Sequence, residues 1–186
     1  AGDAQTGMTL MHVVRQLDAG DVILSTPIPI CPRDTGGTLH DRLAEVAVET
    51  LAEGLPLLLE GRAPRIPQAE LGESSHISKL GRDDGRLDWT ASAARIERRL
   101  RAYDPWPGCW TRLDGRRVKI FPFAGVRAEA GFPGEVREVE GRVVVSCGAD
   151  TLVLEEVQPD GARRMPALDW WRGLRREGAA RFEPAP

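Results

Sequence analysis

The turn Leu17-Asp18-Ala19-Gly20-Asp21 places two carboxylates close together between two apolar runs. Acids held at strand ends in this way can ligate a metal, orient a base or position a water for proton transfer. The same five residues also read as an ordinary β-turn, with Gly20 at positive φ and both acids solvated. His12 precedes the turn on an apolar run, where a hydrogen-bonded core histidine is the expected role. His12, His40 and His76 share no i,i+4 spacing, so a metal-binding helix is not indicated. The sequence has no GxSxG, no phosphate-binding P-loop and no GxGxxG, and Gly36-Gly37 reads as helix punctuation.

In the second half, Asp104-Pro105-Trp106-Pro107-Gly108 fixes an indole between two prolines. Such a ring can serve as a stacking platform for a base. A plug beneath a helix-to-barrel corner is the expected role, because Trp is buried on average. The arginines around residues 95–101 and 163–181 can neutralise phosphates, and a solvated Arg-rich surface accounts for them as well. Trp170 and Trp171 are adjacent on a helical pattern, so one is expected in the core and the other partly exposed.

The elements that position these residues follow from periodicity and turn chemistry. Met8–Val14 and Val22–Ile30 read as strands, with Pro27 and Pro29 confining the second to an edge. Thr38 with Asp41 resembles a capping box, and the helix behind it presents Leu39, Leu43, Val46 and Leu51 on one period. Gly54 and Pro56 are expected to break or kink that helix. Strand, strand and helix cannot close a domain alone, so this stretch reads as the tail of an α/β sheet domain. Residues 62–88 are polar, punctuated by Pro and Gly, and read as a linker. Thr90 or Ser92 then caps a helix running to Tyr103. Asp114-Gly115 divides Cys109–Leu113 from Arg117–Phe123, a strong hairpin signal. Further strands are expected at Gly134–Val139, Arg142–Ser146 and Thr151–Val157, followed by a helix near Pro166–Arg175 that turns Leu168, Trp171 and Leu174 inward. Five short strands in so short a stretch suggest a small OB-like β-barrel.

Composition bounds the rest. The 186 residues are 41% hydrophobic and 28% charged, which argues against disorder, collagen and fibres. No apolar run has the length of a membrane span, and Ala1 to Leu10 lacks the layout of a signal peptide. The net charge of −3 divides unevenly, with residues 1–61 acidic and residues 62–186 mildly basic. That asymmetry hints at an anionic partner for the second half. Cys31, Cys109 and Cys147 are far apart and form no CxxC pair, so they read as free buried thiols in a reducing compartment. Ala1 is not a start methionine, and further sequence is expected in front of it.

Taken together, Gly2-Asp3-Ala4-Gln5-Thr6-Gly7-Met8-Thr9-Leu10-Met11 and the Asp18-Ala19-Gly20-Asp21 turn resemble a formyltransferase catalytic domain. Asp34-Thr35 with Thr38-Leu39 fits that domain's next helix. Arg86-Leu87-Asp88-Trp89, Arg101-Ala102-Tyr103, Pro105-Trp106-Pro107-Gly108, and Gln158-Pro159 with Gly161, Met165, Ala167 and Asp169 resemble the methionyl-tRNA formyltransferase family. The resemblance runs over essentially the whole chain. It implies the end of a Rossmann-like catalytic domain over residues 1–61, a linker at 62–88, and a tRNA-binding β-barrel domain at 89–186.

By that resemblance the reaction moves a formyl group from 10-formyltetrahydrofolate to the amino group of initiator methionyl-tRNA, without a metal. Asp18 matches the catalytic aspartate, and the backbone of Val13, Val14, Arg15, Gln16 and Leu17 matches the wall of the pterin pocket. Arg15 and Gln16 are not the residues usual at their places. Lys79, Arg82, Arg95, Arg98, Arg99 and Arg172 are the implied tRNA contacts. The family's Asn-x-His and Ser-Leu-Leu-Pro segments are not in this sequence, so the chain by itself is expected to be inactive. A cytoplasmic monomer is implied. A non-catalytic RNA-binding barrel and a formyltransferase acting on a sugar nucleotide are the competing readings.

Overall fold

A computed structural model describes every residue except Ala1, Ser74, His76, Ala130, Glu177, Ala179 and Pro186. His76, one of the histidines weighed above, therefore lies outside the described residues. Contacts divide the chain into two compact units, Ala1–Asp34 with Thr38–Lys79 and Thr35–Gly37 with Leu80–Pro186. The division falls inside the stretch expected to be a linker. Among the described residues no helix is long and apolar enough to cross a membrane.

In the first unit, β1 (Gln5–Met11) and β2 (Val22–Pro29) form a two-stranded antiparallel sheet, from Gln5 opposite Pro29 to Met11 opposite Val22. Both strands are edges, which is why Pro27 and Pro29 are tolerated inside β2. β1 begins and ends three residues earlier than its apolar run suggested, because β2 offers no partner beyond Met11. Val13 is left 98% exposed.

Helix α1 (Gly36–Leu59) starts ahead of the expected Thr38 cap and runs on through Pro56. Pro56 lies in the last turn, where one lost hydrogen bond does not end the helix. Gly54 is a packing residue rather than a breaker: a Cβ on it would lie 2.2 Å from Leu10 Cδ2. One turn earlier, the buried Thr50 hydroxyl donates to Thr26 Oγ1 at 2.8 Å. The helix thus turns Thr50 and Gly54 to the hairpin, and the expected core residue Leu51 is half exposed. Val48, Leu51, Leu55 and Leu59 remain on an open apolar stripe.

The second unit begins with a segment whose Trp89 indole donates to Thr111 Oγ1 at 3.0 Å in the core. Helix α2 (Ala93–Ala102) is capped by Ser92, whose hydroxyl accepts from Arg95 N. Thr90, the alternative cap, instead bonds Asp88 Oδ1 through its N–H and hydroxyl. Those two bonds hold the Asp88 carboxyl below its ordinary range.

Strands β3 (Cys109–Leu113) and β4 (Arg116–Ile120) form the expected hairpin, with Asp114 and Gly115 both at positive φ. Glu140 and Gly141 do the same between β6 (Glu135–Val139) and β7 (Arg142–Ser146). A short β5 (Gly125–Arg127), absent from the sequence pattern, pairs with β8 (Thr151–Leu154). The run expected as one strand, Thr151–Val157, divides at Glu155 into β8 and β9 (Glu156–Pro159), which belong to different sheets. β10 (Met165–Pro166), α3 (Ala167–Gly173) and β11 (Ala180–Arg181) complete the unit.

The strands form two sheets, β10-β9-β4-β3 and β11-β6-β7-β8-β5, rather than one continuous hydrogen-bonded barrel. Leu87, Trp89, Ile96, Leu100, Val143, Val145 and Val157 lie in their common core. Trp170 and Trp171 are both buried, against expectation. Phe182 of the C-terminal tail stacks on Trp170 at 6.1 Å and on Trp89 at 5.2 Å, covering the indole that an isolated α3 would expose.

Candidate functional site

The carboxylate turn is held from three directions within the first unit. His12 N–H donates to Asp21 O at 2.9 Å, closing the loop, and Val22 and Ile66 exchange backbone bonds just beyond it. Gln68 Nε2 donates to both Asp18 O and Gly20 O, each at 2.8 Å. One primary amide thus bridges two carbonyls of the turn from 48 residues away in sequence. The left-handed residue is Asp18, at φ 54°, and not Gly20 as the β-turn reading had it. Aspartate tolerates that conformation better than most residues. Glycine is required at position 20 by close approach instead: a Cβ there would lie 1.7 Å from His12 O.

The two acids are therefore unequal. Asp21 faces Arg65 at 3.7 Å, a structural ion pair. Asp18 is exposed at the tip, as are Val13, Val14, Arg15, Gln16 and Leu17 before it. His12 Nε2 lies 2.9 Å from Pro64 O, a locking bond consistent with the structural role expected for that ring. Behind β2, Asp34 accepts from Cys31 N at 2.7 Å and from Arg42 at 2.6 Å. Those bonds, the backbone one foremost, hold the Asp34 carboxyl below its ordinary range. Cys31 is exposed, contrary to the buried thiols expected. Cys109 and Cys147 are buried, and burial pushes their thiols up to about 12 and about 11.

The second unit holds a cleft of about 400 Å³, lined by Arg82, Trp106, Arg117, Lys119, Gln158 and Asp160 together with three prolines and Gly161. Trp106 is 54% exposed at its edge, so it is not the buried plug expected from sequence. The cleft opens over one face of the β3-β4-β9 ladder. Lys119 lies opposite Trp110 on one side and Gln158 on the other, and Arg117 opposite Arg112. The Arg117 guanidinium stacks 4.3 Å from the Trp110 ring centroid, with its Nε buried and unpartnered. Trp110 Nε1 also donates to Arg82 O at 3.2 Å, fixing that backbone at the rim.

Of the six cations expected to meet tRNA, only Arg82 lines this cleft. Lys79, Arg95 and Arg98 are exposed elsewhere. Arg99 is half-buried, donates to Asp84 O and has its guanidinium carbon 5.2 Å from the Tyr103 ring centroid. Arg172 pairs with Glu138 at 3.1 Å. Sequence reasoning gave no site role to Gln68, Arg117 or Lys119, and none to Gln158, which it quoted only as part of a motif. A signal for two of them exists: Arg117 and Lys119 alternate with the buried Val118 and Ile120 on a period of two.

Known proteins match both units. The sequence pattern described as "Formyl transferase" matches residues 1–55, and "Formyl transferase, C-terminal domain" matches residues 79–175, more than half of the chain. The methionyl-tRNA formyltransferase of Akkermansia muciniphila is 42% identical over 172 residues, covering 89% of this chain and 54% of that protein. The protein of the same name from Geobacter sulfurreducens is 36% identical over 186 residues, covering 99% and 58%. This chain thus spans a little over half the length of those relatives. Among solved structures, HypX from Aquifex aeolicus in complex with tetrahydrofolic acid matches 91% of this chain and 30% of its own, with TM-score 0.62 and 23% identity, a likeness of fold. With the formyl transferase C-terminal-domain pattern filling more than half of the sequence and the formyl transferase pattern preceding it, the chain belongs to the formyl transferase family.

Proposed function

We propose that these residues are part of a methionyl-tRNA formyltransferase, which moves a formyl group from N10 of 10-formyltetrahydrofolate to the amine of initiator methionyl-tRNA. One observation carries the reading: relatives of that name align at 36–42% identity with nearly the whole chain, through both units. The chemistry passes through a tetrahedral intermediate whose oxyanion needs donors and whose amine must lose a proton. Asp18, exposed on a turn that Gln68 and Gly20 hold in place, is the carboxylate assigned to that step. It would favour the charged form of a neighbouring imidazole and order the water that relays the proton. Residues 13–17 would offer backbone to the pterin ring.

The sequence contains no asparagine and no Asn-x-His, so the family's asparagine and histidine donors do not come from these residues and the chain does not turn over alone. The open apolar stripe on α1 supports residues 1–61 as one portion of a larger α/β catalytic domain. We assign 62–88 as linker and 89–186 as the tRNA-binding domain. The passage of β8 into β9 from one sheet to the other supports an OB-like barrel left open along one side. The partner is initiator methionyl-tRNA, the chain a monomer and the compartment the cytoplasm.

The test joins this chain to the unmatched remainder of the Akkermansia relative and assays formyl transfer to methionyl-tRNA. The fusion is expected to turn over and the isolated chain to show none, while both bind tRNA in a salt-dependent way. An inactive but folded fusion, or turnover by the chain alone, would overturn the assignment.

A further inference from the structure

The cleft over the β3-β4-β9 sheet face has the chemistry of a nucleotide subsite. An exposed aromatic ring, Trp106, stands at its edge, and Arg82, Arg117 and Lys119 supply three positive charges against the single acid Asp160. Among the described residues, none of the ion pairs engages those three cations. Elsewhere in the unit Arg101, Arg127, Arg137, Arg164, Arg172 and Arg176 each face a carboxylate, while others such as Arg95 and Arg98 are in none of these ion pairs; Arg82, Arg117 and Lys119 differ from the latter in lining one concave surface. Cations left unpaired around a concave surface favour an anion.

The surroundings hold these groups in place. The Arg117 guanidinium carbon lies 4.3 Å from the Trp110 ring centroid, a cation–π contact that restricts the guanidinium. Lys119 sits in the ladder between Trp110 and Gln158. Gln158 Nε2 donates to Ala162 O at 3.0 Å, bracing the turn at Asp160-Gly161 that forms the far wall. The prolines on either side of Trp106 limit the movement of its backbone.

A cleft of about 400 Å³ suits one mononucleotide rather than a duplex. We propose that it binds one unpaired nucleotide of an RNA strand, its base stacked on Trp106 and its phosphate held by Arg117 and Lys119 with Arg82 at the rim. The assignment to RNA rests on the methionyl-tRNA reading above. Bases within a helix are covered on both faces by their neighbours, whereas an unpaired nucleotide can lay its base on the indole with its phosphate among the cations, so the subsite favours single-stranded over duplex RNA.

The full chain is titrated by fluorescence anisotropy with four labelled probes: intact initiator tRNA, a blunt RNA hairpin, the same hairpin with a four-nucleotide 3′ overhang, and free adenosine monophosphate. The overhang is expected to bind more tightly than the blunt hairpin. Trp106→Ala should remove that preference, weakening the overhang complex roughly 5- to 150-fold, the range seen for base–aromatic stacking. Trp106→Phe should retain most of it. Lys119→Gln should weaken the overhang complex more than the blunt one and lower the overhang's dependence on log salt by about one ion. Thermal melts coinciding with that of the unmodified chain exclude misfolding, and the exposed position of Trp106 makes that the expected result.

Equal affinity for blunt and overhang probes, or a Trp106→Ala variant that keeps the preference, overturns the subsite even if tRNA binds normally. Binding of adenosine monophosphate as tightly as the overhang overturns RNA as the source of the nucleotide. Tight overhang binding with no affinity for tRNA upholds the subsite and removes the methionyl-tRNA reading. Failure of every probe removes both.

Discussion

Gly20→Ala probes the architecture of the candidate catalytic turn most directly. A methyl carbon at residue 20 would lie 1.7 Å from His12 O, whereas close C–H···O contacts keep about 3.3 Å, so the strands must part by roughly 1.6 Å. A shift of that size breaks the His12 N–Asp21 O bond at 2.9 Å and pulls both turn carbonyls from the Gln68 amide at 2.8 Å. Three hydrogen bonds at about 0.5–1.5 kcal/mol each make the local cost roughly 1.5–4.5 kcal/mol. In opening equilibria that is roughly 10- to 1,600-fold. Hydrogen exchange read by mass spectrometry on peptides spanning residues 12–22 should show an acceleration of this order. Gly61→Ala is the control, because Gly61 sits at φ 69° with open space around its Cβ position. It stores only conformational strain, about 1–2 kcal/mol, and should leave residues 12–22 close to their original protection. A Gly20→Ala chain with unchanged exchange over residues 12–22 would refute the close-approach account of the turn.

In the fusion described above, Asp18→Asn should lower kcat by about 10²–10⁴ with unchanged tRNA affinity, as expected for a group that assists proton transfer. Asp21→Asn, which loses only the Arg65 contact, should keep kcat near that of the parent fusion. Thiol titration of the native chain with Ellman's reagent should give one rapid equivalent, from Cys31, because Cys109 and Cys147 are buried and burial raises their pKa to about 12 and about 11. Asp34 titrates below 3.8 in the folded chain, chiefly through the Cys31 N–H and then Arg42. Its contribution is complete above the ordinary carboxylate value and is lost as pH falls through the depressed one. Thermal melts of Asp34→Asn should therefore lose part of the acid-induced drop below about pH 4 and keep the neutral-pH dependence unchanged.

The sequence by itself determined the features that depend on neighbouring residues. Asp114-Gly115 specifies its hairpin because positive φ is a local steric matter, and it appears as read; Glu140-Gly141 makes the same kind of turn. Ser92 caps α2 for the same kind of reason, since its partner Arg95 N lies within one turn. The motifs along the chain carried a resemblance to the family in which the matching patterns place it.

What tertiary structure decided depends on partners distant in sequence. Pro56 did not end α1, and Gly54 proved to be a seat for Leu10, because the cost of a poor helix former is outweighed by packing against a strand some 40 residues earlier. Trp170 became a core residue only when Phe182 folded over it. The brace on the Asp18 turn comes from Gln68, a side chain that no pattern around the turn reveals. Trp106, Arg82, Arg117, Lys119 and Gln158 are spread over 77 residues of sequence. A face shared by strands β3, β4 and β9 and the loops beside them brings these residues around one cleft. Strand alternation shows that Arg117 and Lys119 share a side, but only the pairing register shows what stands beside them.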